Sequence, residues 1–205
     1  IELAKINKVN VVQSFGMTET CSQVFALASH LAYEKQGSSG LPLTNVDVYI
    51  HQKNDSKIGE IWLKGPQIIQ NYLKPTDSWT EDGWFQTGDL GYLDDEGFLF
   101  VKSRMKELII SGGENIYPAE IEQVFHQNKH IKEIAVIGKT DKEWGQVPVA
   151  FVVTHLDENS LNQFGVASLA KFKLPKEWHK VKELPRTTSG KINKSQLMKE
   201  IEQND

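Results

Sequence analysis

The chain has 205 residues, 39% hydrophobic and 24% charged, with a formal net charge of −4, which describes an ordinary globular chain of one or two domains and excludes the basic excess of a nucleic-acid binder. The single cysteine, Cys21, rules out an internal disulfide, fits a reducing compartment and is expected to pack in the interior. The opening residues IELAKINKVNVV lack a basic start followed by an apolar run, and no apolar segment approaches the roughly 18 residues of a membrane span, so a cytoplasmic protein without a membrane partner is expected.

Along the chain, 24-VFALASHLAY-33 fits a helix or an irregular loop and is left open. The runs 46-VDVYI-50, 58-IGEIWLK-64 and 97-GFLFV-101 are alternating or β-branched and bounded by Gly, Asn and Asp, as antiparallel strands are. Asp94-Asp95-Glu96-Gly97 reads as the turn before the last of them. The period then lengthens. In 118-PAEIEQVFHQN-128, Ile121, Val124 and Phe125 fall on one helical face and Pro118 suits the first turn. Strands are predicted over 132-KEIAVIG-138 and 147-VPVAFVVT-154, a helix around Leu161, Phe164 and Leu169, a strand near 178-WHKVKEL-184 and a short helix from Ser195. The first half is therefore β-rich and the second alternates helices with strands, an α+β chain.

Two stretches raise chemical questions. In 104-RMKELIISGGENIYPAEIE-122, charges precede an apolar run and then Ser111-Gly112-Gly113, a loop expected to bend widely. In 185-PRTTSGKI-192, Gly190-Lys191 imitates the end of a nucleotide phosphate loop, but Pro185 and Ile192 stand where that loop needs Gly and Ser or Thr. Taken alone, Lys191 reads as a solvated surface charge. The six histidines show no metal-ligand spacing.

The order of five segments changes this reading: 15-FGMTET-20, 59-GEIWLKG-65, 85-FQTGDL-90, the 104–122 stretch and 187-TTSGKINK-194. Together they resemble the adenylate-forming superfamily, which includes acyl-CoA synthetases, luciferases and the adenylation domains of peptide synthetases. The strings GMTETCSQ, GSSGLPL and WGQVPVAFVV are closest to the branch of acid–CoA ligases that acts on o-succinylbenzoate in menaquinone synthesis. The resemblance implies that a carboxylic acid and ATP give an acyl-adenylate and pyrophosphate, and that CoA then takes the acyl group and releases AMP.

Under this resemblance Thr18 holds phosphate and Glu19 helps hold Mg²⁺, with Lys191 as the catalytic cation of the first step. Phe15, beside Gly16, stands where the family more often has a tyrosine and is expected to stack on adenine. Asp89 is expected to accept the ribose hydroxyls, and Arg104 to contact the nucleotide. Lys106 matches the hinge residue, Ser103 replacing a glycine common before the arginine. Gly112 and Gly113 are expected to line the path of the CoA arm. Lys194 is taken as an ordinary lysine beside Lys191.

The implied organisation is the end of a large AMP-binding domain over 1–102, a hinge over 103–106 and a small C-terminal α+β domain over 107–205. The phosphate loop and most of the acyl pocket of such ligases precede the FGMTE motif, which begins here at Phe15, so the chain is expected to be the C-terminal part of a longer, stand-alone enzyme and inactive by itself. The partners implied are small molecules: the acid, ATP and CoA. A homo-oligomer is compatible with the resemblance. The alternatives carried forward are a generic medium-chain or aryl acid–CoA ligase, and a non-catalytic nucleotide- or partner-binding fragment of the same fold.

Overall fold

The computed structural model describes residues 2–53, 55–74 and 76–202. The chain divides into two compact units, Ile1–Met105 and Lys106–Asp205. It is an α+β chain throughout.

The first unit opens with a short helix α1 (Glu2–Ile6), then builds two antiparallel sheets. The first contains β1 (Gln13–Met17), β2 (Ser22–Leu27) and β3 (Leu41–Pro42); the second is a meander of β4 (Asp47–His51), β5 (Gly59–Lys64), β6 (Phe85–Leu93) and β7 (Leu99–Arg104). The open stretch 24–33 is thus a strand that runs into a 3₁₀ turn at Ser29–Leu31. Val24, Phe25 and Leu27 are fully buried, and an apolar run hidden by its surroundings carries no period to separate strand from helix. Phe25 and Val24 share one core with Ile61, Leu63, Phe85 and Leu99, so that the two sheets of this unit bury a common interior. The Leu99 N–H bonds the Gly40 carbonyl at 2.9 Å and ties the edges together. Asp94 closes the turn before β7 by accepting from the Glu96 and Phe98 N–H groups.

The second unit has a five-stranded sheet of β8 (Ile109–Ser111), β9 (Glu114–Ile116), β10 (Ile131–Asp141), β11 (Gly145–Thr154) and β12 (Glu177–Lys180), the last pairing parallel to β11. Helices α2 (Pro118–Phe125), α3 (Glu158–Val166) and α4 (Lys194–Glu202) complete it. Successive side chains of a strand face opposite sides. In β10, Ile134 and Val136 enter a core with Ile121, Phe125 and Leu161 of α2 and α3, while Ala135 and Ile137 enter another with Leu197 and Ile201 of α4. A strand buried on both faces is apolar without alternation, which is why 134-IAVI-137 reads as a continuous run. Pro118 occupies the first turn of α2, and Asp157 caps α3 by accepting from the Ser160 N–H at 2.8 Å.

Candidate active site

The FGMTET segment is shaped by Thr20. Met17 ends β1, and Thr18–Thr20 form a 3₁₀ turn that leads into β2. The buried Thr20 hydroxyl accepts from the Met17 N–H at 2.9 Å and donates to the Ser22 carbonyl at 2.5 Å. The turn so closed leaves Thr18 exposed and Glu19 half-buried. Cys21 follows in the left-handed conformation and is exposed, contrary to the interior place expected of it, because the turn directs its neighbour Thr20 inward instead. At Gly16, which begins a bulge in the β1–β2 ladder, an added Cβ would lie 2.1 Å from the Ser22 carbonyl oxygen. That close approach requires glycine here whatever else the segment does. Phe15 is half-buried, its ring edge-on to Phe25 at 6.0 Å.

A cavity of about 570 Å³ lies beside this turn, lined by Glu19, Tyr72, Glu60, Gly88, Arg104 and Lys53 among others. Phe15, Thr18 and Asp89 are not among the residues that line it. Tyr72 reaches Glu19 from the far end of the 65–72 loop and donates its hydroxyl to Glu19 Oε1 at 2.5 Å. That bond, followed by burial and by the carboxylate charge, pushes the Tyr72 phenol up to about 12.

Opposite, β6 carries Thr87-Gly88-Asp89. The Thr87 hydroxyl donates to the Ile61 carbonyl at 2.7 Å and accepts from the Asp89 N–H at 3.1 Å. Glu60, only 7% exposed, accepts from the Gly88 N–H at 3.0 Å and from the Trp62 indole at 2.9 Å. Gly88 has φ of +71°, a backbone shape that favours glycine, and the buried Glu60 pins it. Asp89, 4% exposed, forms an ion pair with Arg104, its Oδ1 2.7 Å from Arg104 Nε across the β6–β7 pair. Arg104 thus stands between Asp89 and the cavity, its side chain 49% exposed.

The other expected residues lie in the second unit. Lys191 is exposed on a tight hairpin: the Thr187 N–H bonds the Lys191 carbonyl at 2.8 Å, the Gly190 N–H bonds the Thr187 carbonyl at 2.9 Å, and Arg186 pairs with Ile192 across it. Arg186 braces the loop, donating to the Gly190 carbonyl at 2.8 Å and meeting Glu133 Oε1 at 3.0 Å. Lys106 is exposed in a 3₁₀ turn, Met105–Glu107. Gly112 and Gly113 form a two-residue turn between β8 and β9, with φ of +57° and +86°. Positive φ at both positions makes a type I′ hairpin, so this pair is a defined turn and not the widely bending loop expected of it. The Gly112 N–H bonds the Trp144 carbonyl at 2.8 Å, and a Cβ there would sit 2.7 Å from the Trp144 ring.

Lys194 also departs from expectation. Its ammonium lies 3.1 Å from Glu107 Oε2 and 2.9 Å from Glu122 Oε1 at 18% side-chain exposure, and Glu122 further accepts from the Val136 N–H at 2.8 Å. It joins three segments of the second unit and is no ordinary surface lysine. Thr20, Glu60, Tyr72 and Arg186 were missed as supporting residues. Glu60 and Thr20 stand inside recognised motifs, but only the fold reveals what each one holds.

The family model of the AMP-binding enzymes matches residues 2–73, and that of the AMP-binding enzyme C-terminal domain matches residues 120–191. The chain is 50% identical over 202 residues to the 2-succinylbenzoate–CoA ligase of Listeria monocytogenes serotype 4b (strain F2365), an alignment covering 96% of this chain and 42% of that ligase. It is 41% identical, with a TM-score of 0.89, to the o-succinylbenzoate CoA synthetase of Bacillus subtilis in complex with the acyl-adenylate intermediate OSB-AMP, over 96% of this chain and 42% of that one. The same synthetase in complex with ATP and magnesium ion matches with a TM-score of 0.88 and 40% identity, over 96% and 43% of the two chains. The chain therefore spans about two fifths of the length of these relatives.

Proposed function

From the premise that the chain belongs to the AMP-binding enzymes, the adenylate-forming superfamily, we propose that it forms the C-terminal part of a ligase joining 2-succinylbenzoate to CoA. The observation that carries the reading is the convergence of Glu19, Tyr72 and Arg104 on one cavity, in a unit whose fold matches a relative bound to its acyl-adenylate.

In the first step a carboxylate oxygen of the acid attacks the α-phosphorus of ATP, and pyrophosphate leaves. In the second the CoA sulfur attacks the acyl carbon, and AMP leaves with the bond electrons. Two anions must meet in the first step, so cations and hydrogen-bond donors matter most there. Arg104, oriented by Asp89, presents a guanidinium to the cavity, and Lys53 lines it as well. Thr18, exposed on the turn that Thr20 closes, offers a hydroxyl to phosphate. Phe15 is assigned to adenine and Asp89 to the ribose hydroxyls; neither lines the cavity itself, and Asp89 is paired with the cavity residue Arg104.

Glu19 fits a magnesium ion. Among the described residues no group of three or more His, Cys, Asp or Glu side chains forms a metal cage, and magnesium bound with a nucleotide needs only one or two carboxylates besides the phosphates. Bound by Glu19, the ion would neutralise charge on the triphosphate.

Lys191 supplies the further cation for adenylation, on a loop braced by Arg186. Gly112 and Gly113 serve the CoA arm in the second step. Lys106 is the hinge of this reading, with residues 1–102 and 107–205 as the two domains; the division of the chain between Met105 and Lys106 supports it. No described helix is long and apolar enough to cross a membrane, and a cytoplasmic location suits substrates such as ATP and CoA. The test is pyrophosphate release by the full-length protein across a panel of acids. A higher kcat/KM for 2-succinylbenzoate than for octanoate or benzoate is expected; equal or better use of a plain fatty acid moves the protein to a generic acid–CoA ligase, and no release with any acid removes the catalytic reading.

A further inference from the structure

Glu19 is gripped at two points by a segment far from it in sequence. The Ile69 N–H donates to the Glu19 carbonyl at 2.9 Å, and the Tyr72 hydroxyl donates to Glu19 Oε1 at 2.5 Å. The Tyr72 ring lies edge-on to Trp79 at 5.4 Å, and Trp79 lies 5.0 Å from Phe85, a buried member of the core. The phenol is thus held from behind by an aromatic row, and its hydroxyl meets the carboxylate at the cavity wall.

The two contacts have separable jobs. The Ile69 bond and the aromatic row fix the loop without any hydroxyl. The hydroxyl adds one thing: it occupies one carboxylate oxygen of Glu19 and fixes the rotamer of the side chain. A carboxylate anchored through one oxygen presents the other in a single direction, and the partners of a metal-binding carboxylate govern its affinity in this way.

We propose that Tyr72 is a positioning residue for the adenylation step: by donating to Glu19 Oε1, it fixes the carboxylate that would hold magnesium with the triphosphate. This rests on the reading of Glu19 given above, and it assigns Tyr72 no contact with the reacting atoms.

The experiment uses the full-length protein with Tyr72→Phe, Glu19→Gln and the double variant. Tyr72→Phe keeps the ring against Trp79 and removes only the donor. Binding of Mn²⁺ with ATP, read by paramagnetic relaxation of water protons, is expected to weaken by about 10- to 100-fold in Tyr72→Phe. Adenylate formation falls by a similar factor, while thioester formation from supplied acyl-adenylate and CoA stays within about threefold of wild type. Because Tyr72 acts through Glu19, the double variant should be no worse than Glu19→Gln by more than about twofold. Unchanged Mn²⁺–ATP affinity in Tyr72→Phe, or multiplying effects in the double variant, overturns the proposal. So does an equal fall in both half-reactions accompanied by a lower melting temperature, since that is the mark of a staple for the fold. If the wild type makes no adenylate from 2-succinylbenzoate, the substrate reading fails, and the Mn²⁺–ATP measurement still decides the role of Tyr72.

Discussion

Arg104 pairs with Asp89, its Nε 2.7 Å from Oδ1, and so joins the last residue of β7 to a carboxylate of β6 that is 4% exposed. A buried carboxylate held by a half-exposed guanidinium is sensitive to loss of its cation, because the charge stays behind. Arg104→Gln is expected to destabilise the protein by about 1–3 kcal/mol, the range for taking one partner from a buried polar group, moderated by solvent on the arginine side. Urea unfolding measures it. A midpoint equal to that of wild type would show that Asp89 does not depend on Arg104.

Lys191→Ala in the full-length protein should slow adenylate formation by roughly 10²–10³, the usual effect of removing one preorganised electrostatic donor. Thioester formation from supplied acyl-adenylate should stay near the wild-type rate. Lys199, exposed on α4, is the charge-matched control. Equal slowing of both half-reactions, or a Lys199→Ala variant as slow as Lys191→Ala, returns Lys191 to an ordinary surface charge.

Lys194 cannot serve as that control, since it lies between Glu107 and Glu122. Lys194→Ala leaves two carboxylates facing each other and should lower stability by about 1–3 kcal/mol. Lys194→Arg should recover part of the loss. Thermal denaturation of both variants checks the order, and an unchanged melting temperature for Lys194→Ala would show the bridge to be energetically idle.

Gly112→Ala and Gly113→Ala separate backbone strain from contact. Both positions have positive φ, so each substitution should destabilise by roughly 1–2 kcal/mol. Only at Gly112 would a Cβ meet another group, at 2.7 Å from Trp144, so its loss should be the larger. Equal losses in chemical denaturation would mean that Trp144 simply moves aside.

The alkaline behaviour of Tyr72 follows from its raised pKa of about 12 against the ordinary 10.0. A group whose folded pKa is raised stabilises fully below the unfolded value and loses that contribution as pH climbs through the folded one. The Tyr72–Glu19 contribution should therefore be complete below about pH 10 and gone above about pH 12. Stability of Tyr72→Phe should fall less between these limits than that of wild type, and phenolate absorbance should show one fewer late-titrating tyrosine. Parallel alkaline declines would rule out the pair as their source.

The sequence alone determined the features whose cause is local. Ile121 and Phe125 fall four apart and are both fully buried in α2, as the 3.6-residue period requires, and Pro118 marks the start of that helix. Strands β4 and β5 are bounded where Gly and Asn interrupt alternating runs, and the order of motifs identified the family. Tertiary structure alone decided whatever depends on which segments meet. The run 24-VFAL-27 became strand through pairing with β1, a partner its own apolar residues do not specify. Gly112-Gly113 reads as freedom in sequence, but the register of β8 on β9 turns it into a fixed hairpin. Lys194 reads as solvated until Glu107 and Glu122 close on it from distant segments. Tyr72 and Glu19, 53 residues apart, share no local pattern; only the packing of the 65–72 loop on the 3₁₀ turn brings phenol to carboxylate. Periodicity and turn chemistry act over a few residues, whereas hydrogen bonds and ion pairs between remote side chains exist only after the chain has closed the loops between them.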